Sequence, residues 1–283
     1  MPQEGKTRDL TVLIRDKYGG DATKVTDEDR ERLTRGEPLA YIIGDIPFCG
    51  LSLLLRTRPL IPRPETEWWT EKLIDHINKK FGSIYGTETS DAPSSIYGTI
   101  DETKNSARGA EHISPPRIRV LDLCAGSGAI GLSVLSHCPQ THVSFGELSH
   151  EHCTLILENT RRNNLDTSRA DVRVGDLFAP FVGERFDFIA ANPPYIPEHR
   201  QLPKSVNDYE PHEALFGGRD GLSVIQRICK DARDHLQEGG ELWMECDVSN
   251  IGETEKLAQE GGAKRTEIHN DQHGRPRLLV GYY

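Results

Sequence analysis

The sequence predicts an α/β protein with a doubly wound, mostly parallel sheet, preceded by a small N-terminal segment of helices and a hairpin. Two observations support this fold class. Beyond residue 117, short apolar segments alternate with longer amphipathic ones, which is typical of strands and helices that follow each other in a parallel sheet. The first predicted strand also leads into a glycine-rich turn, and such sheets bind ligands at the turns that follow their strands.

The composition is that of a globular protein whose charge does not favour nucleic acid. The chain has 283 residues, 36% of them hydrophobic, and a formal net charge of −10. Proteins that bind the phosphates of nucleic acids usually have a basic surface. Because this chain is negatively charged overall, we expect no direct binding to nucleic acid. No apolar run approaches the roughly 20 residues of a membrane span, so we expect no membrane association. The six cysteines form no C-x-x-C pair, and we expect no metal site.

Residues 1–60 are predicted to form a small N-terminal helical segment with a β-hairpin. A helix begins at Thr26, whose hydroxyl can cap its first turn, and ends at Gly36. The apolar residues within 41–44 and 51–55 predict the two strands of the hairpin.

Residues 61–81 lead into the main domain as an extended stretch followed by a helix. Pro62 and Pro64 each push the preceding residue out of helical backbone, so the chain is extended there. From Glu65 onward, apolar residues recur at helical spacing. Arg63 and Glu65 could form an ion pair that fixes this stretch, or they could line a substrate channel.

Residues 82–116 differ in composition and are predicted to be a disordered, low-complexity insert. Ser, Thr, Gly, Asp, Glu and Pro dominate, and the pentapeptide at 83–87 recurs at 95–99. Such a segment buries too little apolar surface to offset the entropy that it would lose on ordering.

Residues 117–283 form the main domain. Its predicted strands cover 118–123, 142–146, 172–174, 186–190, 241–245 and 277–282. Its predicted helices cover 128–137, 150–163, 222–236 and 251–260. A ligand is expected at the carboxyl ends of the strands, near the point where the strand order reverses.

The turn after the first predicted strand has the residues expected of a ligand-binding loop. Asp122 lies near the end of that strand, and the turn contains Cys124, Ala125, Gly126, Ser127 and Gly128. Small residues let a ligand approach the backbone, and the helix that follows offers free N–H groups. The spacing D-x-x-x-G-x-G differs from the dinucleotide fingerprint and favours S-adenosylmethionine over NAD. A tight turn needed only for packing is the alternative.

Two acidic residues after later strands extend this candidate site. Glu147 follows the second strand, where a carboxylate can accept hydrogen bonds from both hydroxyls of a ribose. Asp176 follows the third strand, where it can accept from the exocyclic amine of adenine, with Leu177 against the ring. Each acid alone is more often a solvated strand end, but three such loops at one sheet edge rarely arise by chance.

The segment Asn192-Pro193-Pro194-Tyr195, directly after the fourth strand, is the candidate catalytic motif. Two consecutive prolines fix an extended loop. The side-chain carbonyl of Asn192 and the main-chain carbonyl of Pro193 can then hold one planar –NH2 group, while Tyr195 stacks on it. This arrangement needs no strong base, so it suits an amide or nucleobase nitrogen that attacks the methyl group of a sulfonium. A structural Pro-Pro turn is the alternative.

These motifs together resemble those of the release factor glutamine N5-methyltransferases of the HemK/PrmC type. The matching segments are 36–44, 60–67, 121–130, 192–196 and 209–221. The resemblance implies a seven-stranded, Rossmann-like fold of the class I S-adenosylmethionine-dependent methyltransferases. It implies methyl transfer from S-adenosylmethionine to the N5 amide nitrogen of the glutamine in the Gly-Gly-Gln motif of a peptide-chain release factor.

The resemblance also implies roles for individual residues and a setting for the protein. Residues 124–128, Glu147, Leu177 and Asn192 would contact the cofactor, and residues 192–195 would hold the glutamine amide. The N-terminal unit would be a shortened substrate-docking part, and we expect a monomer. The insert suggests a eukaryotic protein of the mitochondrial branch, so we expect the mitochondrial matrix, or the cytoplasm if the source is not eukaryotic.

Two other functions are compatible with part of the pattern. A DNA or RNA amino-methyltransferase would use the same cofactor loop and the same Asn-Pro-Pro-Tyr motif on a flipped base, but the net charge argues against it. A non-catalytic protein could keep the fold as a scaffold, but it would have no physical need for the acids and for Asn192 together.

Overall fold

The computed structural model describes residues 2–82 and 118–283, with side chains from residue 8 onward. Apart from Gly82, the insert predicted over 82–116 lies outside the described residues. None of the helices in the described ranges has both the length and the apolar content needed to cross a membrane.

Three helices form the N-terminal part, namely α1 (Pro2–Tyr18), α2 (Asp27–Arg35) and α3 (Leu39–Ile43). The hydroxyl of Thr26 accepts a hydrogen bond from the backbone N–H of Asp29, 3.1 Å away, and so caps α2 as predicted. Gly36 ends this helix with a φ of +83°, a left-handed conformation that glycine adopts without strain.

The predicted first strand of the hairpin, 41–44, is wrong. These residues lie in and directly after α3, and the hairpin consists of β1 (Asp45–Phe48) and β2 (Leu51–Leu54), which pair antiparallel. An apolar run of three residues does not distinguish a strand from one buried helical turn. Tyr41 is buried in this turn, and its hydroxyl donates to the carbonyl of Pro59 at 2.7 Å.

Helix α4 (Pro64–Phe81) follows the extended residues, as predicted. Proline is favoured in the first turn of a helix, because it lacks an N–H that would have no partner there. The side chains of Trp69, Leu73 and Ile77 are fully buried and pack against the sheet.

In the described part of the chain, seven strands form the main sheet in the order β5-β4-β3-β6-β7-β9-β8. All are parallel except β9, which runs antiparallel to both neighbours. The strands are β3 (Ile118–Leu123), β4 (Thr141–Glu147), β5 (Ala170–Val174), β6 (Phe186–Ala191), β7 (Leu236–Glu245), β8 (Arg265–Asn270) and β9 (Pro276–Tyr282).

Helices cover both faces of this sheet. Val120 points to the face packed by α4 and the next two helices, whereas Leu121 points to the opposite face. The remaining helices are α5 (Ala129–His137), α6 (His150–Arg162), α7 (Lys204–Asn207), α8 (His212–Leu215), α9 (Ser223–Asp231) and α10 (Ile251–Glu260). The predicted doubly wound α/β sheet is therefore confirmed.

Two predictions in the C-terminal part fail. The sequence does not predict strand β8, because it lies at the sheet edge and its exposed and half-buried residues show no apolar alternation. The helix predicted over 222–236 is too long, since α9 ends at Asp231, a 3₁₀ turn covers Ala232–His235 and β7 begins at Leu236.

Glu241 of β7 connects the sheet to α4 through a buried carboxylate. It accepts hydrogen bonds from His76 (3.0 Å) and Lys80 (2.7 Å) of α4, and from the indole of Trp243 (2.9 Å). Burial alone would raise the pKa of Glu241, but these hydrogen bonds and the nearby cations outweigh it and lower the pKa to about 2.

We predict a pH-dependent stability contribution from Glu241. Its pKa falls on folding from 4.5 to about 2, so its stabilising effect is complete above pH 4.5 and is lost as the pH falls towards 2. Glu241→Gln should lower the free energy of unfolding at pH 7 by about 1–3 kcal/mol, with a smaller difference at pH 3.5. Urea unfolding at both pH values measures this, with Glu238→Gln on the exposed side of the same strand as control. Equal destabilisation at both pH values would contradict the prediction.

Candidate active site

The carboxyl ends of four neighbouring parallel strands meet at one edge of the sheet. The chain builds β3, β4 and β5 outward in one direction and then returns to place β6 on the other side of β3. This reversal creates a crevice at the carboxyl ends of β3 and β6, where doubly wound sheets bind ligands. Asp122 and Glu147 lie at the carboxyl ends of β3 and β4, and Asn192 directly follows β6, so these three predicted residues lie at the same edge of the sheet.

The turn between β3 and α5 is sharp and is connected to β4. Gly126 and Gly128 have φ values of +55° and +80°, which glycine adopts most readily. The backbone N–H of Gly126 donates to Oε2 of Glu147 at 2.8 Å, and that of Ala125 donates to the carbonyl of Gly146 at 3.3 Å. These bonds attach the loop to the carboxyl end of β4.

Two polar members of the predicted loop set, Asp122 and Ser127, are buried. Asp122 is fully buried, and its Oδ2 accepts a hydrogen bond from the N–H of Gly131 at 2.8 Å. Its Oδ1 has no hydrogen-bond partner among the described residues, and burial raises its pKa to about 7. Ser127 is 2% exposed, and its carbonyl accepts from the side chain of Asn159. Asp122 therefore fixes the start of α5 and leaves one oxygen for a further donor.

Cys124 lies at the start of the turn with a φ of +58°. Burial raises the pKa of its thiol well above the usual range, so it is a small side chain here and not a thiolate nucleophile. All six cysteines fall within the described residues and are free thiols.

Glu147, the last residue of β4, is 8% exposed. Its carboxylate accepts from the backbone N–H groups of Gly126 (2.8 Å) and Ser149 (2.9 Å), and Nδ1 of His152 lies 3.5 Å away. Burial favours the neutral form, but the hydrogen bonds from His152, Ser149 and Gly126 outweigh it and lower the pKa of Glu147. Each carboxylate oxygen can accept a second hydrogen bond, so Glu147 has the geometry to receive the two hydroxyls of a ribose.

The loop after β5 places its two predicted residues differently. Asp176 is exposed and pairs with Arg227 of α9 at 2.6 Å, whereas Leu177 is 9% exposed and packs in the core with a φ of +49°. Sequence reasoning missed Leu148, which follows Glu147 and is 66% exposed. An apolar residue directly after the strand-ending acid is the signal that could have found it, because it offers a flat ligand a surface beside Glu147.

The Asn192–Tyr195 segment has no regular secondary structure and packs closely on a second loop. Ile196 donates to the carbonyl of Leu215, and Gly217 donates to the carbonyl of Ile196, both at 3.0 Å. A Cβ atom on Gly217 would lie 2.4 Å from the carbonyl oxygen of Pro194, so a larger residue cannot occupy that position without displacing the loop. The glycine-rich segment 217–221 therefore supports the candidate catalytic motif.

A buried carboxylate at the end of β7 connects this motif to α4. Glu245 is 1% exposed and accepts hydrogen bonds from Thr66 Oγ1 (2.7 Å), Trp69 Nε1 (2.8 Å) and the Tyr195 hydroxyl (2.8 Å). Burial, followed by the charge of Glu245, raises the pKa of Tyr195 well above its usual value. Asn192 Nδ2 donates to Thr66 Oγ1 at 3.3 Å, and Asn192 Oδ1 is buried without a partner among the described residues.

Sequence reasoning missed Thr66 and Glu245. Glu245 has the same signal as Asp122 and Glu147, an acid at the carboxyl end of an apolar strand. Thr66 lies in the Pro-Glu-Thr segment, whose polar side chains gave no indication of which one faces the site.

Of the two alternatives for Arg63 and Glu65, the ion pair between them does not form, whereas Arg63 lines a cavity beside the Asn192–Tyr195 segment. Arg63 pairs with Glu210 at 2.6 Å, and the same carboxylate accepts from the N–H of Ile61 at 3.1 Å. Glu65 pairs instead with Arg275 at 2.9 Å. Glu210 is 4% exposed, so it fixes the extended stretch before α4 beside the catalytic motif.

A cavity of about 250 Å³ opens beside this motif, lined mainly by apolar side chains and including Asn192, Pro193 and Tyr195. A cavity of about 320 Å³ lies near the start of β7, at the other end of the strands from the acids. In the described part of the chain, no three potential metal-ligating side chains cluster.

Comparison with known proteins decides the family. A family model described as methyltransferase small domain matches residues 105–208. The release factor glutamine methyltransferase of Thermodesulfovibrio yellowstonii is 30% identical over 252 residues, which cover 88% of this chain and 78% of that protein. The corresponding protein of Lactococcus lactis is 30% identical over 272 residues, which cover 94% and 85%. This chain belongs to the family of release factor glutamine methyltransferases.

This chain has the fold of the class I methyltransferases. The catalytic domain of hMettl16, solved in complex with the MAT2A 3′UTR hairpin 1, matches with a TM-score of 0.53. The match covers 82% of this chain and 74% of that chain at 16% identity, and it shows a shared fold alone. The predicted seven-stranded Rossmann-like sheet is confirmed by this order of strands.

The cofactor is S-adenosylmethionine, as predicted, and the residues at the sheet edge fit it. The ionised Glu147 has spare acceptor capacity for the ribose hydroxyls, and Leu148 offers an apolar surface next to it. The Oδ1 of Asp122 has no hydrogen-bond partner among the described residues, so it keeps free acceptor capacity next to the loop.

We predict that Glu147→Ala weakens S-adenosylmethionine binding by roughly 1–3 kcal/mol, or about 5- to 150-fold in Kd. The variant removes the acceptor for the ribose and for two backbone N–H groups. Calorimetric titration measures the affinity, with thermal unfolding as a check of folding. Glu151→Ala, which removes an exposed carboxylate from the first turn of α6, should bind like the wild type. An unchanged affinity in a folded Glu147→Ala variant would contradict a contact with the ribose.

Proposed function

We propose that this protein transfers the methyl group of S-adenosylmethionine to the side-chain amide nitrogen of the glutamine in the Gly-Gly-Gln motif of a peptide-chain release factor. The observation that supports this most directly is the unpartnered Oδ1 of Asn192, a buried acceptor beside the cavity at the sheet edge. The names of the relatives, release factor glutamine methyltransferase, support the same substrate.

The motif is suited to a primary amide because it offers acceptors. A glutamine amide has two N–H donors on one planar nitrogen. Asn192 Oδ1 and the main-chain carbonyl of Pro193 belong to one loop, so two acceptors can hold the two protons. These two hydrogen bonds fix the direction from which the nitrogen approaches the methyl group. Positioning of the nitrogen then promotes the reaction without a strong base.

The residues around Asn192 can fix the position of the substrate amide and exclude water from it. S-adenosylmethionine, when bound, supplies an electrophilic methyl group on its sulfonium. Tyr195 cannot ionise at neutral pH, and its hydroxyl is committed to Glu245. Its ring is therefore held beside Asn192, where it can cover a flat amide and exclude water.

A substrate panel tests this function. The protein is incubated with S-adenosylmethionine carrying a labelled methyl group and with a release factor, its Gly-Gly-Ala variant, duplex DNA or RNA. We expect label in the release factor, on the glutamine of the motif by mass spectrometry, and none in the other three. Label in nucleic acid and none in the release factor would contradict the proposal.

Further parts of the proposal concern the setting of the protein, and they rest on the sequence. We place it in translation termination, through its substrate, and in the mitochondrial matrix if the source is eukaryotic. We expect a monomer that docks its substrate partly through residues 1–60 and binds no nucleic acid directly.

Asn192→Ala should lower kcat by about 100-fold or more, because a positioning contact in the transition state is lost. Asn192→Asp should bind cofactor at least as well, since it adds a negative charge near the sulfonium, and should still react more slowly. Single-turnover methylation of the release factor and a separate cofactor titration measure the two effects. Asn270→Ala, at the exposed edge of the sheet, is the control. A wild-type single-turnover rate in Asn192→Ala would leave the motif as a structural turn.

A further inference from the structure

We propose that the hydroxyl of Thr66, directed by Glu245, is a positioning group that sets which atom of the Asn192 amide faces the substrate. This inference rests on the proposed function, because it concerns the acceptor that holds the glutamine amide. Neither residue touches the substrate in this proposal, and their effect reaches the reaction through Asn192.

The first step is the direction of the hydrogen bonds at Glu245. The indole N–H of Trp69 can only donate, and it lies 2.8 Å from Oε2 of Glu245, so this oxygen is an acceptor. The hydroxyl of Thr66 lies 2.7 Å from the same oxygen. The hydroxyl proton of Thr66 is therefore committed to the buried carboxylate.

The second step follows from the single proton of a hydroxyl group. Because Thr66 donates to Glu245, its Oγ1 can only accept from Asn192. The amide of Asn192 must then present Nδ2 to Thr66, at 3.3 Å, and turn Oδ1 away. The nitrogen and oxygen of an amide are distinguished by such partners, and here the chain of bonds allows one orientation.

The third step is the consequence for the substrate. In this orientation Oδ1 is buried and has no partner among the described residues, so it is available to a donor. If the amide were flipped, an –NH2 group would face the –NH2 group of the glutamine. Two donors would then oppose each other, and both would lose a hydrogen bond.

Thr70 provides a matched control on the same helix. It is fully buried one turn beyond Thr66, and its hydroxyl donates to the carbonyl of Thr66 at 2.7 Å. Replacing either threonine by valine removes one buried hydroxyl at nearly constant volume, but only Thr66 is bonded to Asn192.

The experiment compares Thr66→Val, Thr66→Ser and Thr70→Val in methylation of a release factor. We expect Thr66→Val to lower kcat by about 10-fold or more, with KM for the release factor and Kd for the cofactor within about threefold of wild type. Thr66→Ser keeps the hydroxyl and should recover kcat to within about threefold. Thr70→Val should resemble the wild type, whatever its effect on the melting temperature.

Three results would overturn the inference. They are a kcat of Thr66→Val within about twofold of Thr70→Val, a Thr66→Ser variant as slow as Thr66→Val, and a loss confined to KM. The activity of the wild-type protein distinguishes a failure of the proposed function from a failure of the inference about Thr66. If it methylates no release factor, the proposed function fails and the inference fails with it, whereas an active wild type with equal valine variants refutes the inference alone.

Discussion

The site depends on one buried carboxylate, Glu245, at the carboxyl end of β7. It receives hydrogen bonds from Thr66 and Trp69 of α4 and from Tyr195 of the catalytic motif. Helix α4 and this motif are far apart in the chain. Three donors satisfy the oxygens of this buried side chain, which would otherwise lose their hydrogen bonds to water. Because these bonds fix α4 against the loop after β6, the same carboxylate orders the core and the reaction site.

The parallel sheet gives similar acids different tasks through their surroundings. Asp122 has one hydrogen bond and complete burial, so its pKa rises to about 7. Glu147 lies one strand away, and its hydrogen bonds outweigh burial and keep it ionised. The first acid therefore fixes the helix that follows the loop, whereas the second can bind hydroxyl groups. The strand order brings both to the crevice beside Asn192.

The sequence predicts the elements and loops that local patterns determine. The strand before Asp122 and helix α4 have clear periodicity, and the Asn-Pro-Pro-Tyr motif fixes its own backbone. Strand β8 is not predicted because its polar residues show no strand pattern of their own. It forms through antiparallel pairing with β9. The partner of Arg63 could not be predicted, since Glu210 is distant in the chain and a neighbouring acid is present. Contacts such as that between Thr66 and Glu245 depend on how α4 is placed on the sheet, which only the fold determines.

In the proposed reaction, the Asn192 amide and the Pro193 carbonyl hold the reacting nitrogen. A crystal structure of the protein with S-adenosylhomocysteine and a release factor measures this directly. We expect the glutamine amide nitrogen within about 3.2 Å of Asn192 Oδ1 and of the Pro193 carbonyl oxygen, with Asn192 Nδ2 donating to Thr66 Oγ1. A glutamine amide held by other groups, or an Asn192 amide with its oxygen turned to Thr66, would contradict it.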